Sequence, residues 1–197
     1  MKKLETAMCI GLILSIFLGS LSGFTHKIND LQNQVLRLHI LANSDSETDQ
    51  QLKLLVRDKL LEESETLFSD CETLEDMKHC VIQKQDTIRR IAEHVLQEHG
   101  CQDSVSVQLV NMPFDTREYE QFTMPAGSYD ALRILIGKAE GHNWWCVMYP
   151  PLCLPTAEPE TYFDEETAEF LEHPQKYEIR FKCAELWNQM KKKNSPM

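Results

Sequence analysis

The residues best suited to chemistry lie together between Gly141 and Cys153, a short segment with two tryptophans, two cysteines and a Pro-Pro pair. The prolines exclude a helix or a central strand where they stand, and two adjacent tryptophans cannot both point into one core from a regular strand. Cys146 and Cys153 are close enough in sequence to close a small ring through a disulfide. We therefore predict a loop-like segment that forms either a stapled surface or a reactive pocket.

A reactive pocket here would be that of a thiol hydrolase. Cys146 would be the nucleophile, and it would need a base such as His39 or His142, together with a side chain that orients this base. The side chains able to orient it are Asn43 and Asp45. A disulfide between Cys146 and Cys153 would leave no nucleophile, and this favours a structural role for the pair.

Metal binding has weak support in the sequence. His142 and Cys146 are four residues apart, but they supply only two of the four ligands that a zinc site needs. No Cys-x-x-Cys pair and no Cys/His array with zinc spacing occurs. The sequence therefore predicts neither a metal site nor a cofactor.

A second group of polar residues, from Arg37 to Asp49, stands at a junction between a strand and a helix. In a functional interpretation, this junction receives a partner carboxylate or a small anion. In a structural interpretation, residues 43–49 supply turn and capping groups, while Arg37 and His39 are the outer face of a strand. We favour structure for the turn residues and function for Arg37 and His39.

The tryptophan pair is either a core plug or an interface anchor, because tryptophan is enriched in both settings. Taking both polar groups together, the predicted partner-binding residues are Arg37, His39, Asn43, Asp45, Asn143, Trp144 and Trp145.

The N-terminus has the order of an export signal. Two lysines precede an apolar run over residues 8–18, and small residues follow it. Cleavage after Ser22 or Gly23 and retention of residues 1–24 as a membrane anchor are both open, because the segment is at the lower limit of length for a bilayer span. We expect the export machinery to carry the chain out of the cytoplasm, with membrane contact only through this segment.

Charge and cysteine content restrict the class of partner and the compartment. The formal net charge of −11 argues against nucleic acid as a partner and against electrostatic docking on an anionic membrane. Outside the cytoplasm, thiols tend to oxidise. Cysteines beyond the export segment are Cys71, Cys80, Cys101, Cys146, Cys153 and Cys183. We assign only the Cys146–Cys153 pair, and the pairing of the other four stays open.

Hydrophobic periodicity predicts a mixture of helices and strands. Apolar residues alternate with polar ones over 35–41, as in a half-buried strand. A first helix is then predicted up to about Glu65, after a turn with capping residues, and a second one from Thr73 to Gly100. Two helices in succession need a sheet or another partner on which to bury their apolar stripes.

Further strands are predicted around residues 104–109 and 128–136, with a short one within 113–122. Residues 158–172 are acidic, with a short helix from Asp164, and a last strand covers 177–183 before a short helix near Trp187. We predict an α+β fold: an antiparallel or mixed sheet with two consecutive helices on one face, after an N-terminal signal or anchor segment. The expected domains are the signal or anchor 1–24, a main domain 25–155, and an acidic tether 156–197 that packs on the main domain.

Several separated motifs resemble stage II sporulation protein R of endospore-forming bacteria. They occur in the same order as in that family, and the likeness covers most of residues 35–154, with a further Glu-Leu-Trp motif near Leu186. The motifs are Arg37-Leu-His-Ile-Leu-Ala-Asn-Ser-Asp-Ser, Asp49-Gln50, Leu52-Lys53, Val56-Arg57-Asp58, Pro125-Ala126-Gly127 with Tyr129, Leu132-Arg133-Ile134, and Asn143 to Cys153.

The resemblance implies a signal that the forespore makes and exports into the space between the forespore and mother-cell membranes. There it would activate, by binding, a membrane-embedded aspartic protease of the mother cell that processes a sigma factor precursor. We accordingly expect a signalling protein that is not an enzyme. The alternative is an extracytoplasmic cysteine hydrolase acting on cell-envelope peptide, and a third possibility is a structural module of the envelope.

Overall fold

The computed structural model describes residues 8, 10–12, 15, 24, 26–152 and 159–173. The chain divides into two compact units. We call Gln34–Met112 with Ser128–Glu158 the sheet unit, and Met1–Asn33 with Pro113–Gly127 and Pro159–Met197 the terminal unit. The sheet unit contains a mixed sheet and two helices, and this confirms the α+β fold class.

Two consecutive helices follow the first strand, as predicted. Helix α1 spans Glu47–Phe68 and helix α2 spans Leu74–Glu98. Each begins at a predicted cap, because the Ser46 and Thr73 side chains accept hydrogen bonds from backbone N–H groups of the first turn. Gly100 follows α2 with a φ of +75°, a left-handed conformation that glycine adopts without strain.

The strands form one four-stranded sheet and one small hairpin. They are β1 (Leu36–Leu41), β2 (Val105–Phe114), β3 (Arg117–Glu118), β4 (Thr123–Met124), β5 (Gly127–Ile136) and β6 (Asn143–Tyr149). The four-stranded sheet has the order β2, β5, β1, β6. Strand β1 runs parallel to β5 and antiparallel to β6, so the sheet is mixed.

Both helices pack on one face of this sheet. On that face β1 presents Leu36, Leu38 and Ile40, each no more than 2% exposed. They join one apolar cluster with residues of α1, α2 and β5. The buried helix residues of this cluster are Leu52, Val56, Leu60, Leu67, Phe68, Met77, Val81, Ile88, Ala92, Val95 and Leu96.

Two sequence-based expectations about the strands are wrong. The segment that contains the two tryptophans is strand β6 rather than a loop. Its prolines, Pro150 and Pro151, follow the last strand residue, so their missing N–H groups do not interrupt the ladder. Strand β1 is buried on both faces rather than half-buried, since Arg37 is 0% and His39 is 2% exposed.

The terminal unit contains the β3–β4 hairpin and a short helix. Helix α3 spans Glu165–Glu172 and is capped by Asp164, where the sequence predicted a helix. The rings of Phe24 and Phe170 meet edge to face, with centroids 5.5 Å apart. Inside the stretch expected to be a tether, this helix buries Ala168, Phe170 and Leu171. The predicted strand 177–183 and the helix near Trp187 lie outside the described residues.

A disulfide joins Cys71, in the connection between α1 and α2, to Cys80 of α2. No feature of the sequence favours this pairing over others. Most of the predicted export segment, 1–24, lies outside the described residues, so that segment remains a prediction. In the part of the chain that the structure describes, no helix has both the length and the apolar character needed to cross a membrane.

The two isoleucines of α2 allow a matched test of this core. Ile88 is fully buried in the cluster, whereas Ile82 is 55% exposed. We predict that Ile88→Ala lowers the free energy of unfolding by about 2–5 kcal/mol, because it leaves a cavity between α2 and the sheet. Ile82→Ala should change it by less than about 0.5 kcal/mol. Chemical denaturation of both variants checks this, and equal losses would contradict the packing described above.

Candidate functional site

Three side chains from neighbouring strands form a row on the sheet face opposite the helices. The register pairs His39 of β1 with Arg133 of β5 on one side and with Trp145 of β6 on the other. Paired residues point to the same face of a sheet, so the three side chains are adjacent. We call Arg133, His39 and Trp145, together with the nearby Asn143, the polar row.

The centre of the polar row is held rigidly. The His39 imidazole stacks on the Trp145 ring, with centroids 4.1 Å apart and planes inclined by 6°. Its Nε2 atom lies 2.9 Å from Asn143 Oδ1, where the ring N–H donates and the amide oxygen accepts. The structure therefore brings together three of the predicted binding residues, namely His39, Asn143 and Trp145.

The electrostatics of the row favour a neutral imidazole. Burial lowers the pKa of His39 below its ordinary value of 6.5, and the positive charge of Arg133 lowers this pKa further. The hydrogen bond with Asn143 raises it and only partly opposes the burial. His39 is accordingly suited to packing and hydrogen bonding near neutral pH.

Arg37 lies on the same sheet face as the polar row, and its contacts with Cys146 and Tyr129 are structural. Its Nε atom donates a hydrogen bond to the Cys146 backbone oxygen at 3.2 Å, which ties β1 to β6. Its guanidinium lies over the Tyr129 ring, 5.2 Å from the centroid. We favoured a functional role for Arg37 from the sequence. In the structure its side chain is fully buried and is not accessible to a partner.

Trp144 points to the opposite face from Trp145, toward α1. The Arg57 guanidinium of that helix lies 5.1 Å from the centroid of the Trp144 ring. The pair of tryptophans is thus divided between the two faces of one strand, and this explains how adjacent large rings fit into a regular strand. Both rings are half-buried.

Asn43 joins the end of β1 to the loop after β5. Its side-chain amide donates to Asp49 at 2.9 Å, and its oxygen accepts from the Lys138 backbone N–H at 3.0 Å. Gly137 lies directly against this amide with a φ of +58°, and a Cβ at that position would overlap the Asn43 side chain. These contacts are those of a structural residue.

Asp45 joins the start of the helical region to the residue before β6. The His142 backbone N–H donates to Asp45 Oδ1 at 2.6 Å, and the His142 ring pairs with the same carboxylate. Lys53 of α1 adds a second link, donating to the His142 backbone oxygen at 3.0 Å. We call Asn43, Asp45, Lys53, Gly137 and His142 the loop clasp.

Lys53 and Arg133 are site residues that sequence reasoning did not select. Lys53 is 5% exposed, and burial is the largest cause that lowers its pKa. In the sequence Lys53 is a polar position in an amphipathic helix, and Arg133 is a polar position in an alternating strand. The signal that could have selected them is their place in the motifs Leu52-Lys53 and Leu132-Arg133-Ile134. Their roles follow only from the pairing of distant segments.

The geometry of Cys146 does not fit thiol catalysis. Cys146 pairs in the register with Leu38, the neighbour of His39 in β1, so the Cys146 and His39 side chains point to opposite faces of the sheet. Cys146 is also disulfide-bonded. Cys153 lies outside the described residues, so the Cys146–Cys153 pairing remains a prediction. His142, the other candidate base, is paired with Asp45.

No group of three or more potential metal ligands occurs among the described residues.

Comparisons with known proteins agree on one family. The family model for stage II sporulation protein R matches residues 32–158. A Bacillus subtilis (strain 168) protein with that name is 40% identical to the chain over 123 residues. This alignment covers 62% of the chain and 55% of the relative, so the match spans little more than half of the relative's length. No solved structure matches the chain.

The buried imidazole of His39 should make stability depend on pH. Because its pKa is lowered in the folded state, the unfolded chain takes up a proton first as the pH falls through about 6.5. This contribution to stability is therefore present above that pH and is lost below it. We predict that His39→Gln, which keeps an N–H donor, loses less of its free energy of unfolding between pH 7 and pH 5 than the wild type does.

Urea denaturation across this pH range measures the effect. The difference between the two proteins at pH 8, where both side chains are neutral, gives the packing cost alone and serves as the control. Parallel stability curves for the two proteins from pH 8 to pH 5 would contradict the prediction.

Proposed function

The chain belongs to the stage II sporulation protein R family, and on that premise we propose that it is an exported signal of sporulation. In this proposal it activates, by binding, a membrane-embedded aspartic protease of the mother cell. The activated protease then processes a sigma factor precursor. The signal acts in the space between the forespore and mother-cell membranes, either free or held by its N-terminal segment.

The family assignment supports the coarser part of this function. Both the family model and the Bacillus subtilis relative describe a stage II sporulation protein, and neither description names an enzymatic reaction. This agrees with our expectation that the chain is a signalling protein and not an enzyme. The protease partner and the extracytoplasmic location belong to the proposal.

One observation carries the choice of binding over catalysis: the sheet separates Cys146 from His39. A thiol nucleophile needs a base within hydrogen-bond reach, and these side chains leave opposite faces of the sheet from neighbouring register positions. The disulfide state of Cys146 also removes the thiolate. These features favour the signalling function over the cysteine hydrolase.

The cysteine chemistry supports export. Disulfides persist in oxidising compartments and are rare in the cytoplasm. Cys71 and Cys80 are bonded to each other, and Cys146 is also bonded. Cys101 is the free cysteine of the described residues. A chain that stayed in the cytoplasm would find few opportunities to form these bonds.

The polar row supplies a surface suited to a protein partner. Tryptophan is prominent among residues that dominate binding energy, particularly where neighbours hold the ring in one orientation. Trp145 is half-buried and is held against His39, so its ring is already ordered before binding. We propose that a partner contacts the accessible part of this ring together with Asn143.

A reconstituted processing assay tests the activation mechanism. The protease, its precursor substrate and this chain would be produced together in a host that does not sporulate. We predict that the double variant Cys146→Ala, Cys153→Ala still induces processing of the precursor, provided that it folds, because binding needs no thiol. Immunoblotting of the precursor and the processed product measures the outcome.

Cys101→Ala is the matched control, since it removes a thiol and leaves the bonded cysteines intact. Circular dichroism and co-purification with the protease would establish that the double variant folds and binds. Complete loss of processing by a double variant that folds and binds the protease would contradict the binding-only mechanism.

A reporter fusion tests export separately. We predict that a reporter active only outside the cytoplasm, fused after Thr25, gives activity, because residues 1–24 have the order of an export signal. Reporter activity normalised to the amount of fusion protein is the measurement. The same fusion without residues 2–18 is the control and should be inactive. A stable but silent full fusion would refute export.

A further inference from the structure

Arg133 stands out from the charged residues around it because its guanidinium has no hydrogen-bond acceptor in the described part of the chain. The side chain is half-buried, and its Nε atom is buried without a partner. Two other cations of the sheet unit have partners: Lys78 pairs with Asp130 at 2.8 Å, and Arg89 pairs with Asp86 at 2.8 Å. Arg133 is thus unpaired in a chain that has 31 acidic and 20 basic residues.

A half-buried guanidinium without an acceptor is costly. Its buried Nε atom has lost its hydration, and nothing within the described residues replaces the hydrogen bond of that atom. A planar carboxylate matches the fork of donors on a guanidinium and forms a charge-assisted pair with it. Binding such a group would restore hydrogen bonds that the free protein lacks.

The side chains around Arg133 on this face of the sheet are ordered. Its neighbour across the sheet is His39, which is fixed between Arg133 and the stacked Trp145 ring. On the same face of β5, the next residue toward the strand's start is Ala131, whose small side chain is fully buried. Arg133 therefore stands at one end of the polar row, beside side chains that are buried and ordered.

We propose that Arg133 binds a carboxylate of the protein partner, while its neighbour His39 and the Trp145 ring stacked on it keep the polar row rigid. This proposal rests on the proposed function, because the carboxylate that contacts this face of the sheet belongs to the protease partner. The carboxylate is either that of an aspartate or glutamate side chain or that of a chain terminus. The shared chemistry is that of a planar anion with two oxygens.

Peptide titration tests the site without the protease. The probes are Ac-Gly-Glu-Gly-NH2, whose side chain carries the carboxylate, Ac-Gly-Gly-Gly-OH, whose terminus carries it, and the neutral Ac-Gly-Gln-Gly-NH2. The NMR signal of the Arg133 Nε–H group in the full chain reports binding. We expect a saturable shift with one or both acidic peptides and none with the neutral peptide. No shift with either acidic peptide, or equal shifts with all three, overturns the proposal.

The processing assay tests whether the partner uses the site. Arg133→Gln should raise the amount of chain needed for half-maximal processing at least about tenfold, because a charge-assisted pair is lost. Arg133→Lys keeps the charge without the fork and should lie in between. Arg90→Gln is the matched control, since it removes an exposed arginine charge from α2, and should act like the wild type. Thermal unfolding establishes that all three variants fold.

The two assays distinguish the possible failures. If the wild-type chain induces no processing, the proposed function fails, and the peptide titration still decides whether Arg133 binds carboxylates. If the wild type induces processing and Arg133→Gln does so at the same concentration, the proposed function stands. The result then excludes the binding of a partner carboxylate by Arg133. A charge reversal, Arg133→Glu, that is rescued by an acid-to-arginine change in the protease would identify the paired residue.

Discussion

The burial of strand β1 on both of its faces is the constraint on which the sheet unit depends. Its helix-facing side is apolar, and its other side carries Arg37 and His39, each no more than 2% exposed. Buried polar groups destabilise a fold unless they are hydrogen-bonded. Arg37 is bonded to the Cys146 backbone oxygen, and His39 to Asn143. Both bonds reach β6, so these contacts of β1 also hold its neighbour in register.

The loop clasp determines where β6 begins. Asn43 and Asp45 follow β1 directly and bind the backbone N–H groups of Lys138 and His142. Because the chain between β5 and β6 is held at both points, Asn143 starts the strand opposite Leu41. That register in turn places Trp145 opposite His39. Residues that resemble ordinary turn and capping groups in the sequence thus set the geometry of the polar row, although they do not belong to it.

Local features of the chain could be predicted from the sequence, whereas features that depend on distant pairing could not. The starts of α1 and α2 followed from Ser46 and Thr73, because a cap acts on backbone groups within one turn. The burial of Arg37 depends on β6, more than a hundred residues later. Arg133 had the signal of an alternating strand residue and of the motif Leu132-Arg133-Ile134. The absence of an acceptor for its Nε atom among the described residues depends on how the sheet is assembled.

Within the polar row, side chains that already share a hydrogen bond differ from Arg133 in what they can contribute to binding. His39 and Asn143 already bond to each other, so a partner that displaced either would have to replace an existing hydrogen bond. Among the described residues the Arg133 Nε atom has no acceptor, so a carboxylate that bonds to this guanidinium displaces no existing hydrogen bond. A recognition surface of this kind has a rigid centre, which fixes the orientation of the partner, and a charged end, which binds a partner with a matching carboxylate more tightly. This division agrees with the proposed function, in which the chain acts by contact and Arg133 meets the partner's carboxylate.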